Sequence, residues 1–390
     1  MQKIWNIKKY DEQEVSKISK KYEISSILSK LLISRKIDDI DMYLNGGIEY
    51  LRDPYMIKDM DKIVKRIKEA YTKKEKICIY GDYDVDGITS ITVMYKFLSE
   101  LGMQVEYYLP DRLLEGYGVN IEAIKKIKEN GASLIITVDC GITAVEEVEY
   151  AKKLGIDVCI TDHHECGIEL PNAIAIVNPK QKEDTYPFKM FAGVGVTFKV
   201  ISALAKEFEL DSSKYLKYLD IVAIGTISDI VPLVDENRII SKLGLKMLKD
   251  TKNVGIKELL KIMNYKEIDS TMVSFLIAPR INACGRMGDA YIAAKLLLEE
   301  DTMKAKEYAS ILDSMNVKRQ NVEKEIFDSA IDMIETENLD EKNSIVLYNK
   351  DWHNGVIGIV ASRLVNIYNK PVILFTKENR GSKRFRKVSN

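Results

Sequence analysis

The chain has 390 residues, enough for two or three domains around a sizeable buried core. Apolar residues make up 46% and charged residues 30%, the proportions of an ordinary soluble globular protein. Lys plus Arg (58) nearly balance Asp plus Glu (59), which excludes a uniformly basic nucleic-acid binder and leaves room only for a local basic surface.

The opening MQKIWNIKKYDEQE lacks the apolar centre of a signal peptide, and no stretch approaches the roughly 20 apolar residues that span a bilayer. Cys78, Cys140, Cys159, Cys166 and Cys284 are scattered without a C-x-x-C pair, several of them in apolar runs such as KICIY and DVCIT. That usage fits buried, reduced thiols, so a cytoplasmic protein with no membrane contact is expected.

Residues 1–75, rich in Ile, Leu and Ser, read as short helices without site chemistry. From Lys76 the pattern changes. KICIY, QVEYYLP, SLIITVD, DVCITD and IAIVNP are short apolar runs with β-branched residues, bounded by Gly, Asp or Pro, and they predict strands. Between them ITSITVMYKFLSELG, IEAIKKIKENG and TAVEEVEYAKKLG predict helices, each closing on a glycine that suits a C-cap. Such alternation predicts an α/β fold over residues 76–240, a mostly parallel sheet with helices on both faces.

Residues 241–340 are read as a helical region and connector. Within it the run from Thr302 to Glu337 has no Pro or Gly and carries Ala305, Tyr308, Ala309, Leu312, Met315, Val322, Ile326 and Ala330 at helical spacing. It predicts a long connecting helix or a helix pair. SIVLY, WHNGVIGIVASRLVNIY and PVILF then restart a strand–helix–strand order, the beginning of a partial second α/β domain over 341–390.

Chemistry concentrates at the strand ends. Asp82-Tyr83-Asp84-Val85-Asp86-Gly87 sets three carboxylates at alternate positions between a strand and a helix, where open α/β sheets bind ligands. Clustered carboxylates repel, and holding them together calls for a cation. An EF-hand is excluded, since its twelfth position is Val93 and a strand precedes the loop. A solvated acidic turn is the bland alternative. It weakens because Asp139 ends the next strand, Asp162-His163-His164-Glu165 ends another, and Ile227-Ser228-Asp229-Ile230 sets an acid in an apolar helical stretch. Imidazole and carboxylate together suit Mn²⁺, Fe²⁺ or Zn²⁺ better than Ca²⁺. A dinuclear site of the kind that activates water for phosphoryl displacement is the economical reading.

DYDVDG, VDCG, DHH and ISDIVPL resemble, in order, the successive motifs of the DHH phosphoesterase superfamily, and GDYDVDGITS, APRINACGRMGDA and WHNGVIGIVASRL resemble its RecJ branch. The resemblance runs from about Lys76 to Ser382. It implies an exonuclease that degrades single-stranded DNA from a 5′ phosphate to mononucleotides, in repair and recombination, with two Mn²⁺ or Mg²⁺ ions. Carried over by motif, it makes Asp84, Asp86, Asp139, His163 and Asp229 metal ligands, with Asp139 bridging, and Asp82 a ligand or an orienting carboxylate. The position four residues before Asp84, a histidine in some relatives, is Tyr80. His164 and Asp139 are the implied catalytic residues, His164 facing the scissile phosphate. Arg112, Arg280, Arg286, Arg319, His353, Ser382 and Arg384 are the implied nucleic-acid contacts, Arg112 and Arg280 for the terminal phosphate, while His353 is equally read as structural. A single-strand-binding protein or a helicase is the implied protein partner.

The match departs at Gly381-Ser382-Lys383-Arg384, where the family has Gly-Ser-Gly-Arg-Ser. RGSKRFRKVSN reads as a truncated or frame-shifted terminus, with the oligonucleotide-binding barrel absent. Two other readings follow from that: a phosphodiesterase for short oligonucleotides or cyclic dinucleotides, and an inactive fragment.

Overall fold

The computed structural model describes residues 8–111, 115–116, 118–377 and, by backbone alone, 383–388. Three short helices open it, each started by a side chain that accepts from a first-turn amide. Asp11 caps α1 (Glu12–Tyr22), Ser25 caps α2 (Ser26–Ser34) and Asp39 caps α3 (Ile40–Asn45). α4 (Met60–Lys73) buries Ile63, Val64 and Ile67 and leads into the sheet.

The five β-branched runs become β1 (Lys76–Gly81), β2 (Gln104–Tyr108), β3 (Leu134–Val138), β4 (Asp157–Thr161) and β5 (Ala175–Val177). They pair in parallel in the order β2-β1-β3-β4-β5. Between them run α5 (Val85–Glu100), α6 (Ile121–Glu129) and α7 (Val145–Lys153). Strand side chains alternate, so Ile77, Ile79 and Ile136 enter one core while Cys78, Tyr80 and Ile135 enter the other. Both faces are covered, which is why these strands read as continuous apolar runs. The three expected helix-closing glycines, Gly102, Gly131 and Gly155, have φ of +78°, +85° and +68°.

From β1 the chain steps outward to β2, then crosses back to lay β3 on the other side of β1. The loops that leave the paired carboxyl ends of β1 and β3 therefore run apart and leave a crevice between them. α8 (Gly193–Glu207), α9 (Ser213–Leu216), α10 (Leu219–Ser228) and α11 (Asp235–Leu248) follow. α8 and α10 pack on α5, whose side chains are buried almost throughout. Lys199 of α8 is nearly inaccessible, ion-paired with Glu236 of α11 at 2.5 Å and donating to the Arg52 carbonyl at 2.8 Å. Its position is thereby fixed, because removing either partner would strand a buried charge.

α12 (Val254–Ile262) and the short α13 (Ser270–Met272) lead into a π-helical turn at Val273–Ile277, then α14 (Ala278–Met287) and α15 (Tyr291–Leu298). The predicted connector is one helix, α16 (Thr302–Thr336), 35 residues long. At 1.5 Å per residue it extends about 52 Å. Ala305, Ala309 and Leu312 pack in the core that contains α5, while Ile326, Ala330 and Ile334 pack in a second core. β6 (Ile345–Tyr348), α17 (Asn354–Tyr368) and β7 (Val372–Lys377) complete that core, with β6 and β7 parallel.

The segment read as a truncated or frame-shifted terminus contributes a further strand, β8 (Lys383–Val388), antiparallel to β7. Its lack of an apolar pattern hid it, but backbone pairing alone is enough to cover an exposed strand edge.

Candidate metal centre

Asp82 and Asp84 leave the end of β1, and Asp84 folds back to cap α5, accepting from the Asp86 and Gly87 amides at 2.9 and 3.1 Å. Asp86, on the first turn of α5, is buried and accepts from Gly193 N at 2.6 Å and Val194 N at 2.8 Å, the first two amides of α8. α8 has no side-chain cap of its own. A carboxylate at the positive end of one helix thus closes the start of another, which favours its ionised form.

Asp139 follows β3 with φ of +59°, a left-handed conformation that Asp tolerates better than most residues. The turn points its carboxylate into the crevice, where Oδ1 stands 3.0 Å from His163 Nε2. Both atoms are buried and neither has a hydrogen-bond partner. His163 also lies 3.7 Å from Asp86 through Nε2 and 3.7 Å from Asp229 through Nδ1. Asp229 caps the end of α10.

The donor atoms form three overlapping groups, each spanning no more than 4.8 Å: Asp82, Asp84, Asp139; Asp86, His163, Asp229; and Asp139, His163, His164. Burial and the neighbouring carboxylates push Asp86 and Asp139 well above the usual carboxylate range, and burial with the Asp84 charge lifts Asp229 to about 6. Burial lowers His163 to about 4, so its imidazole is neutral and free to donate a lone pair. The protein alone therefore disfavours the charge it has collected. Divalent cations reverse that balance, and the oxygen-plus-imidazole set with two orphaned buried donors fits Mn²⁺ or Mg²⁺.

His164 is oriented differently. Its Nδ1 pairs with Asp162 Oδ1 at 2.8 Å, and that hydrogen bond raises its pKa. Asp162 is almost fully buried and also accepts from the His163, His164 and Ile142 amides. It holds both histidines in register. Asp162→Asn keeps the shape but weakens that grip, and a loss of about 10–100-fold in Mn²⁺ affinity is expected with the fold intact, read by calorimetric titration alongside the far-ultraviolet spectrum.

The family model for the DHH family, N-terminal domain, matches residues 76–226. Among curated proteins, the single-stranded-DNA-specific exonuclease RecJ of Bacillus subtilis is 45% identical over 95% of this chain, and that of Haemophilus influenzae 36% over 91%. This chain spans 47% and 64% of those two relatives. A crystal structure of exonuclease RecJ bound to manganese superimposes with a TM-score of 0.78 at 33% identity, covering 87% of this chain and 84% of that one. The chain belongs to the RecJ family. RecJ from Thermus thermophilus in complex with Mn²⁺ also superimposes, with a TM-score of 0.84 at 28% identity, over 97% of this chain and 54% of that one.

The five acids and His163 expected from the RecJ motifs meet in the crevice, with His164 at its rim. The basic residues are placed less uniformly. Arg280 donates to Asp313 at 2.9 Å and to the Leu276 carbonyl at 2.8 Å. Arg319 is held along α16 by Glu323 and Asn316, and Arg286 donates to the Gly355 carbonyl at 3.2 Å. His353 caps α17, its Nδ1 accepting from Gly355 N at 3.1 Å. Arg112 and Ser382 lie outside the described residues, and Arg384 lies on β8, described by its backbone alone.

Sequence reasoning passed over Gly193 and Val194, although two glycines at a helix start, Gly193 and Gly195, signal a close backbone approach. A Cβ at Gly193 would stand 2.5 Å from Asp139 Oδ1. The space a side chain would fill is where the Asp139 carboxylate sits.

Proposed function

We propose that this chain is a metal-dependent exonuclease that hydrolyses single-stranded DNA from a 5′-phosphorylated end to mononucleotides, in repair and recombination. The observation that carries the reading is the orphaned pair Asp139 Oδ1 and His163 Nε2, set between two acidic donor groups where the loops after β1 and β3 run apart. Asp82, Asp84 and Asp139 would hold one cation, and Asp86, Asp139, His163 and Asp229 the other. When bound, the two ions supply Lewis acidity for attack on the phosphodiester. His164, steadied by Asp162, offers a proton or a positive charge to the scissile phosphate.

The division that suits this chemistry is a helical segment to residue 75, a catalytic domain over 76–240, a helical connector to 340 and a second α/β unit over 341–390. Arg280, Arg286, Arg319 and His353 are the proposed contacts of the strand, and Arg112, Ser382 and Arg384 join them by motif alone. No helix among the described residues is long and apolar enough to cross a membrane. A cytoplasmic setting follows from the reading, with a single-strand-binding protein or helicase as partner.

The test is a single-turnover digestion of 5′-phosphorylated, 3′-labelled single-stranded DNA with Mn²⁺, with Asp139→Asn as control. A ladder shortening from the 5′ end and absent in the control is the expected result. Turnover of a dinucleotide without turnover of the long strand would move the assignment to a small-substrate phosphodiesterase. Arg280 and Arg319 favour that second reading, since internal carboxylates already occupy them.

A further inference from the structure

The first turn of a helix leaves amides without intrahelical partners, and each needs an acceptor from elsewhere. At α5, Asp84 accepts two of them, from Asp86 and Gly87, while the Ile88 amide reaches the Asp84 carbonyl. Val85 N remains. Its partner is Asn282 Oδ1, at 3.3 Å, from a residue 197 positions further along the chain.

Asn282 sits on α14, directly after the π-helical turn at Val273–Ile277. Such turns re-aim the helix that follows and recur at functional sites. Here α14 lies hard against the acidic loop: a Cβ at Gly285 would stand 2.8 Å from the Tyr83 carbonyl oxygen. Asn282, Gly285 and Arg286 share one helix face. Arg286 meets the start of α17, and a Cβ at Gly355 would lie 2.2 Å from the Arg286 carbonyl oxygen. One face of α14 is therefore clamped between the metal-binding loop and the second domain.

We propose that Asn282 is a positioning residue of the metal centre: by accepting from Val85 it fixes the first turn of α5, and with it the directions in which Asp84 and Asp86 present their carboxylates. This rests on the metal-site reading above. It extends that reading to a residue that touches no cation, and it links the acidic loop to the helix that carries Arg280 and Arg286.

Mn²⁺ alone, titrated calorimetrically into the metal-free full chain, is the probe. Asn282→Asp keeps an acceptor at the same reach, whereas Asn282→Gln moves the amide by one methylene and Asn282→Ala removes it. Outer contacts of this kind change metal affinity about 10–100-fold, so Asn282→Ala and Asn282→Gln are expected to bind Mn²⁺ about tenfold more weakly and Asn282→Asp at least as well as the parent. Affinity for single-stranded DNA in EDTA is expected to be unchanged in all three. Thermal unfolding of the metal-free proteins checks the fold, and if the alanine variant is unfolded the Asp and Gln pair carries the comparison. Equal Mn²⁺ affinity in parent and Asn282→Gln overturns the proposal, as does an equal loss in Asn282→Gln and Asn282→Asp. Weaker DNA binding with Mn²⁺ binding intact overturns it too, and would make Asn282 a substrate contact. A parent chain that binds no Mn²⁺ would instead sink the metal-site reading.

Discussion

Asp139→Asn is expected to stabilise the metal-free protein while removing the proposed phosphoesterase turnover. The parent side chain is buried among Asp82, Asp84 and Asp86, with one oxygen unpaired and the backbone at φ of +59°. Asparagine has nearly the same shape, carries no charge and tolerates the left-handed region at least as well. Relief of an unpaired buried acid is worth about 1–3 kcal/mol, or several degrees in melting temperature for a chain of this size. With Mn²⁺ present the order should reverse. One ion at a hundredfold excess over its dissociation constant adds about 2.7 kcal/mol to the parent, and the variant forfeits most of that. Loss of a bridging ligand should cost turnover about 10³-fold or more, equivalent to roughly 4 kcal/mol of transition-state stabilisation. Differential scanning calorimetry with and without Mn²⁺ reads the crossing directly. An equal Mn²⁺-induced rise in melting temperature in parent and variant would mean that Asp139 is not a ligand.

Gly193→Ala is the second large effect, and its cause is space rather than charge. The added methyl would lie 2.5 Å from Asp139 Oδ1 and 2.6 Å from Asp139 Cβ, distances that non-bonded atoms do not sustain. Either Asp139 swings away or the start of α8 retreats and gives up the 2.6 Å bond from Gly193 N to Asp86. Both routes displace a carboxylate by a sizeable fraction of an ångström. A loss of about 10²-fold in turnover is expected, with weaker Mn²⁺ binding. Gly195→Ala provides the contrast, since its methyl would meet the Phe191 ring at 3.0 Å, away from the acids. Comparable activity in the two variants would show that the crevice adjusts freely, and would remove the close approach at Gly193 as a constraint.

Elements defined by local pattern were legible in the sequence. β1 to β5 follow from β-branched runs closed by Gly, Asp or Pro, and α16 from an unbroken helical period. The site was legible wherever a motif sits at a strand end, as at Asp84, Asp139 and His163, because parallel topology brings those ends to one edge. What stayed hidden depends on distant partners. Asp86 meets the Gly193 amide from 107 residues away, Val85 meets Asn282, and Arg280 is matched by Asp313. No periodicity encodes such pairs. The arginines illustrate the asymmetry: sequence identifies a cation, but only the fold shows which carboxylate already claims it. β8 was missed for a related reason, since an edge strand needs only a backbone to pair with.

α16 belongs to two cores at once, Ala305 to Leu312 in the first and Ile326 to Ile334 in the second. It therefore works as a ruler with a phase. Each residue inserted near its midpoint would advance the second domain by about 1.5 Å and rotate it by about 100°. A single insertion would turn the face bearing α17 away from α14, whereas seven residues, close to two full turns, would nearly restore the facing and widen the gap by about 10 Å. The spacing between the acidic crevice and the second domain is thus written in helical turns, and evolution can lengthen it only in steps of whole turns if the two are to stay aligned.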